Sequence, residues 1–202
     1  VSPRTLAALE AASDSGIRIV FVTGRPPRWM HEIVAETGHR GVAVCANGAY
    51  VYDMAADSVV ETFAMSVDDA RTAVKLVREA LPEAAFGVEI LDGFGHEPAY
   101  LPRWNPEPLL GIGPIDQFLT QPVAKLLVRD DSSTGDVMLE LASRVLDGVA
   151  EVTHSNTNDS LLELSAAGVN KGSTLQRLAS QWGITADESL AFGDMPNDVP
   201  ML

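Results

Sequence analysis

Three short stretches of the chain bring together hydroxyl, cationic and carboxylate side chains. Thr23-Gly24-Arg25 directly follows the apolar run Ile19-Val20-Phe21-Val22. These residues therefore stand at the carboxyl end of a buried strand, where ligands bind in open α/β sheets. Thr23 offers a hydroxyl, Gly24 a backbone N–H that a ligand can approach closely, and Arg25 a fixed cation. That set suits an oxyanion, although a polar strand-to-helix turn would read the same way. Asn170-Lys171-Gly172-Ser173 opens a helix. A lysine there opposes the helix macrodipole unless it joins the helix N-terminus in holding an anion. A solvated surface lysine is the plainer reading. Asp194 and Asp198 stand four residues apart in Gly193-Asp194-Met195-Pro196-Asn197-Asp198. Two carboxylates in a tight loop make a hard oxygen site for Mg²⁺, or an acidic turn capping a final helix. A hydroxyl, a lysine, a helix terminus and two carboxylates at one sheet edge would suit Mg²⁺-assisted phosphoryl transfer.

Regular elements must position these groups. Ser2-Pro3 predicts a helix start, with Leu6 and Leu9 on its apolar face and Gly16 as its stop. Ile17 to Val22 reads as a buried strand, Trp29 to Val34 as a helix closed by Gly38, and Val42 to Cys45 as a second strand. Strand, helix and strand make a βαβ unit. Asn47-Gly48 is a turn signal leading into Tyr50-Val51-Tyr52. From about residue 60 the pattern becomes α+β. Ser66 with Asp69 predicts a helix cap, Phe86 to Leu91 and Val123 to Val128 strands, Asp136 to Leu146 a helix, and Val149 to Thr153 and Leu161 to Leu164 strands. Residues 92–122 hold six of the twelve prolines and read as loop. Gly172 to Trp182 is a helix, and Ser189 to Phe192 a short strand that runs into the diacid. The expected architecture is an α/β core over residues 1–62 and 163–202, interrupted by an α+β domain over 63–162.

Composition narrows the classes. With 14 basic and 28 acidic residues the net charge of the 202 residues is −14, which disfavours nucleic acid as a partner. No run approaches the length of a membrane span. Cys45 stands alone in an apolar strand and reads as a structural thiol. Val1-Ser2-Pro3-Arg4 has no signal-peptide character, so a cytoplasmic location is the expectation. His31, His39, His96 and His154 show no metal-ligand spacing and read as surface or loop residues. Tyr100 and Trp104 either pack or line a substrate entrance, and Lys125 reads as a solvated lysine or a weak leaving-group contact.

The ordered motifs resemble those of the haloacid dehalogenase (HAD) superfamily, in particular Cof-type phosphatases with a C2-type cap. Ile19 to Pro26 is similar to the second motif, Ala46-Asn47-Gly48-Ala49 to the Asn-Gly-Ala turn, Val169-Asn170-Lys171-Gly172 to the third motif, and Phe192 to Leu202 to the fourth. The resemblance implies a Rossmann-like core with an inserted cap. It implies that Thr23 and Lys171 hold the transferring phosphoryl group and that Gly24, Arg25, Asn47 and Asn197 contact phosphate or substrate. It also implies that Asp194 and Asp198 anchor Mg²⁺. The implied activity is hydrolysis of small phosphorylated metabolites, sugar phosphates foremost, through an aspartyl-phosphate. The cap would close over the site and set substrate choice.

One departure bears on activity. The family's first motif, Asp-x-Asp, supplies the nucleophile and the general acid and base, and no Asp-x-Asp occurs in the sequence. The core is therefore expected to be truncated at both ends, and these residues alone to be inactive. Two other readings stay open: a phosphate-binding or interaction module without the nucleophile, and a phosphosugar mutase on the same scaffold.

Overall fold

The computed structural model describes residues 1–154 and 159–202. Ser2 begins the first element as expected, its hydroxyl accepting the Thr5 N–H at 3.1 Å to cap α1 (Pro3–Asp14). The first sheet follows. Parallel strands β1 (Val20–Val22) and β2 (Val42–Cys45) are joined through a 3₁₀ turn at Pro27–Trp29 and α2 (Met30–Thr37). Gly38, at φ 70°, ends α2 in the left-handed conformation that glycine adopts without a Cβ penalty. β3 (Tyr50–Asp53) and β4 (Ser58–Thr62) add antiparallel strands, in the order β1-β2-β3-β4. Side-chain alternation sends Ala43 and Cys45 towards Met30, Ile33 and Val34 of α2.

The second sheet has six strands in the order β7-β6-β5-β8-β10-β9. It is built from β5 (Ala85–Ile90), β6 (Gly93–His96), β7 (Leu109–Ile112), β8 (Lys125–Arg129), β9 (Ala150–Thr153) and β10 (Leu161–Ala166). Two helices, α3 (Val67–Ala80) and α4 (Gly135–Val145), cover one face. There Phe86, Val88, Leu126, Val128, Leu162 and Leu164 form the larger hydrophobic core with helical residues such as Val77 and Met138. The period of two leaves Glu89, Lys125, Leu127, Leu161 and Glu163 on the opposite face. Glu89 lies directly across from Lys125, and Glu163 from Leu127.

The chain then returns to the first sheet. Its last α-helix, α5 (Lys171–Gln181), packs Leu178 against Val44 and Val51, so that sheet carries helices on both faces. A 3₁₀ helix at Pro196–Met201 lies against α5.

The structure departs from the sequence expectations at four places. The first strand is three residues long, because β1 is an edge strand with a single ladder partner among the described residues. Residues 189–192 are not a strand: no strand among the described residues forms a ladder with them, and Leu190 and Phe192 are 88% and 85% exposed. A strand needs a neighbour for its backbone groups, and an apolar run alone supplies none. The expected loop over 92–122 contains β6 and β7. The expected boundary at 162/163 falls inside β10, which stays in the second sheet to Ala166.

Candidate active site

The carboxyl end of β1 is held by short backbone links. The Thr23 N–H donates to the Val44 carbonyl at 2.9 Å, and the Asn47 N–H donates to the Thr23 carbonyl at 3.1 Å. The Thr23 hydroxyl accepts the Arg25 N–H at 3.1 Å. Asn47 sits at φ 58°, ψ 26°, in the left-handed region where asparagine is the best tolerated residue after glycine. That conformation turns the chain from β2 towards β3 and buries the Asn47 amide. A Cβ on Gly24 would lie 2.9 Å from Asn47 Oδ1, so the close approach requires glycine.

Lys171 opens α5. Asn170 caps the helix by accepting the Ser173 N–H at 2.9 Å, while the Ser173 hydroxyl accepts the Asn170 N–H at 3.0 Å. The cap fixes where Lys171 leaves the helix. Its ammonium is buried, donating to Asn197 Oδ1 at 2.8 Å and Asp198 Oδ1 at 2.5 Å. A surface lysine is thereby excluded. A Cβ on Gly172 would overlap the Pro200 carbonyl, so glycine permits the 3₁₀ helix to approach α5 and deliver Asn197 and Asp198.

The two aspartates have different surroundings. Asp198 Oδ2 accepts the N–H groups of Asp194 and Met195 at 3.1 and 3.0 Å. Burial acts to raise its carboxyl pKa, but Lys171 and these N–H groups prevail and hold it below the usual carboxylate value. Both oxygens of Asp198 thus accept hydrogen bonds, Oδ1 from Lys171 and Oδ2 from two backbone N–H groups. Asp194 is exposed. No cluster of three or more His, Cys, Asp or Glu suited to a metal occurs among the described residues. Magnesium commonly takes only one or two carboxylates beside phosphate oxygens and water. Asp194, with Asp198 behind it, fits such a half-open site.

A second network joins the two sheets. Lys125, from β8, donates to the Gly24 carbonyl at 3.0 Å and to Glu163 Oε1 at 2.5 Å. Glu163 Oε2 accepts the Asn47 side-chain amide at 2.9 Å, and Asn47 Oδ1 faces the Asn197 amide at 3.5 Å. Glu163 is buried, which acts to raise its pKa, yet Lys125 and Asn47 outweigh burial and hold it below the usual value. Arg28 forms a bidentate pair with Glu89, its Nη2 reaching Oε2 at 3.0 Å. Burial raises the Glu89 carboxyl despite Arg28 and Lys125. Lys125 is therefore not the expected solvated lysine. Glu163, Glu89 and Arg28 were not singled out from the sequence. For the two glutamates, alternation along β5 and β10 was the available signal, since each of these strands places one charge among uncharged residues on the face opposite the core.

A cavity of about 390 Å³ lies between the two sheets. Thr23, Gly24, Arg25, Lys171 and Asn197 are among its lining residues, as are Glu89, Lys125, Glu163, Trp29 and Trp104. Asn47 and Asp198 stand behind this lining through their bonds to Asn197 and Lys171. Arg25 is exposed, and no side-chain hydrogen bond or ion pair holds it among the described residues. Tyr100 is fully buried, and His96 and His154 are buried rather than surface residues. Burial pushes the Cys45 thiol up to about 12, so it is a packing group and no nucleophile.

The model of the haloacid dehalogenase-like hydrolases matches residues 1–202. The chain belongs to that family. An HMP-PP phosphatase of Serratia proteamaculans is 28% identical over 221 residues, covering 100% of this chain and 74% of its own. The pyridoxal phosphate phosphatase YbhA of Escherichia coli is 22% identical over 225 residues, covering 99% and 77%. Among solved structures, the HAD-superfamily phosphatase BT1666 of Bacteroides thetaiotaomicron superposes with a TM-score of 0.77 at 26% identity, over 100% of this chain and 73% of its own. The family is one of hydrolases, and these relatives are phosphatases. The fold is the α/β core and α+β unit of HAD phosphatases. No helix among the described residues is long and apolar enough to cross a membrane.

Proposed function

We propose that the cavity is the site of a Mg²⁺-dependent phosphomonoester hydrolase acting on small phosphorylated metabolites. The observation that carries this reading is the buried Lys171 ammonium, set at the cavity wall beside Thr23, Gly24 and Arg25. In this reading Lys171 and the Thr23 hydroxyl hold the phosphoryl group, and the Gly24 N–H and Arg25 guanidinium take further oxygens. Asn197 and Asn47 keep Lys171 and the strand-end turn in register. Asp194 holds Mg²⁺, with Asp198 fixing the loop behind it. When bound, the ion neutralises charge on the phosphoryl oxygens. Fixed donors aimed at those oxygens stabilise charge in the transition state. The six-stranded unit acts as a cap: Lys125 and Arg28 tie it to the core and shield the site from water. The cytoplasm is the compartment that suits a free buried thiol and a metabolite substrate.

The aspartyl-phosphate route of this reading needs an Asp-x-Asp carboxylate to attack phosphorus, and the sequence contains no Asp-x-Asp. The 202-residue polypeptide is therefore expected to bind phosphate esters without releasing phosphate. The absent motif also favours a second reading, a phosphate-binding module. Malachite-green assay of released phosphate from 4-nitrophenyl phosphate, with Mg²⁺ and with EDTA, tests the assignment of roles. No release is expected from these residues alone. Mg²⁺-dependent turnover by them would contradict the need for an additional nucleophile.

A further inference from the structure

Resting on the phosphate-site reading, we infer that the cavity selects phosphate esters whose leaving group carries a planar aromatic ring, seated against Trp29 and Trp104. The two indoles come from different units, Trp29 from the 3₁₀ turn before α2 and Trp104 from the loop between β6 and β7, yet both line the cavity. Leu127 and Leu161, from the same face of the second sheet, add apolar lining. Trp104 is held in advance by edge-on contacts with Phe94 and Tyr100, at centroid distances of 5.6 and 6.4 Å. Arg28, locked to Glu89, lies 5.9 Å from the Trp29 ring. Aromatic walls positioned before binding lose little side-chain freedom when a ligand arrives.

The polar lining points the same way. Glu89 is paired with Arg28, Lys125 with Glu163, and Lys171 with Asp198. Asn197 is engaged by Lys171. Beyond the phosphate donors, the charged side chains of the cavity are thus committed to one another. A ring of sugar hydroxyls would leave water without enough replacement partners, at a cost in affinity. An aromatic ring needs no such partners and gains stacking and edge contacts with the indoles.

Isothermal titration of the protein with pyridoxine 5′-phosphate, glucose 6-phosphate and inorganic phosphate tests this. Pyridoxine 5′-phosphate is expected to bind at least about tenfold tighter than glucose 6-phosphate. Trp104→Ala is expected to abolish that preference with inorganic phosphate affinity unchanged, and Trp104→Phe to restore most of it. Equal or tighter binding of glucose 6-phosphate overturns the inference, as does a Trp104→Ala variant that weakens all three ligands alike. If inorganic phosphate binds but the esters show no ranking, this inference alone fails. If none of the three binds to protein shown folded by circular dichroism, the phosphate-site reading fails and this inference with it.

Discussion

Lys171 and Lys125 are two of the three lysines in the chain, and each is buried beside a carboxylate. A buried ion pair is a weak source of net stability, but removing one partner strands the other at a cost of about 3–5 kcal/mol. Glu163→Gln is therefore expected to destabilise the protein by about 3 kcal/mol at pH 7, read as a lower urea midpoint. The pH dependence has a definite sign. The folded Glu163 pKa lies below its ordinary 4.5, so its contribution is present above that value and is lost as pH falls through the folded pKa. Glu89, raised by burial, contributes in the opposite sense: its share is present below 4.5 and is lost as pH rises through its folded pKa. Comparing wild type with Glu163→Gln below pH 4.5 should show the smaller acid loss in the variant. Asp194 is exposed, so Asp194→Asn is expected to leave stability within about 0.5 kcal/mol. The same change should remove the Mg²⁺ enhancement of phosphate binding, checked by titration with and without the ion. At this scale Thr23, Lys171 and Asp198 could be picked out as candidates from residue type and position, but not that Asp198 turns its oxygens to Lys171 and two backbone N–H groups. The pairing of Lys125 with Glu163 was not, because the two are 38 residues apart and meet only when β8 and β10 align.

At the scale of elements, local chemistry was legible where it closes over a few residues. Ser2, Ser66 and Asn170 cap helices as their side chains predict, and Gly38 ends α2. The strands legible as apolar runs, such as β2 and β8, are ones whose side chains are mostly or wholly buried. β6 and β7 escaped the pattern because Gly-Phe-Gly-His and Leu-Leu-Gly-Ile lack a run of apolar, β-branched residues, and Gly95 and Gly111 leave room for the Phe118 ring. Residues 189–192 failed in the other direction, since an apolar run becomes a strand only beside a partner. The contact of α5 with the 3₁₀ helix turns on one hydrogen atom at Gly172. Gly172→Ala is expected to push the Pro200 carbonyl away and separate Lys171 from Asn197 and Asp198. Phosphate affinity should then fall while the second sheet stays folded, as followed by amide hydrogen exchange. Unchanged exchange around α5 together with unchanged affinity would contradict that role.

Across the whole molecule, two sheets with separate hydrophobic cores meet at a polar seam. Arg28 reaches from the first sheet's connection to Glu89 on β5, and Lys125 reaches from β8 to the Gly24 carbonyl. The seam positions the cavity, and it gathers cations into a chain of net charge −14. The central claim is that these cations, Lys171 foremost, form a phosphate site assisted by Mg²⁺. Calorimetric titration of wild type and Lys171→Met with inorganic phosphate, each with and without Mg²⁺, tests it most directly. The account predicts binding that Mg²⁺ strengthens and that Lys171→Met weakens by at least about tenfold, since charged hydrogen bonds contribute about 1.5–3 kcal/mol. Equal phosphate affinity in the two folded proteins, or no binding by wild type, would contradict it.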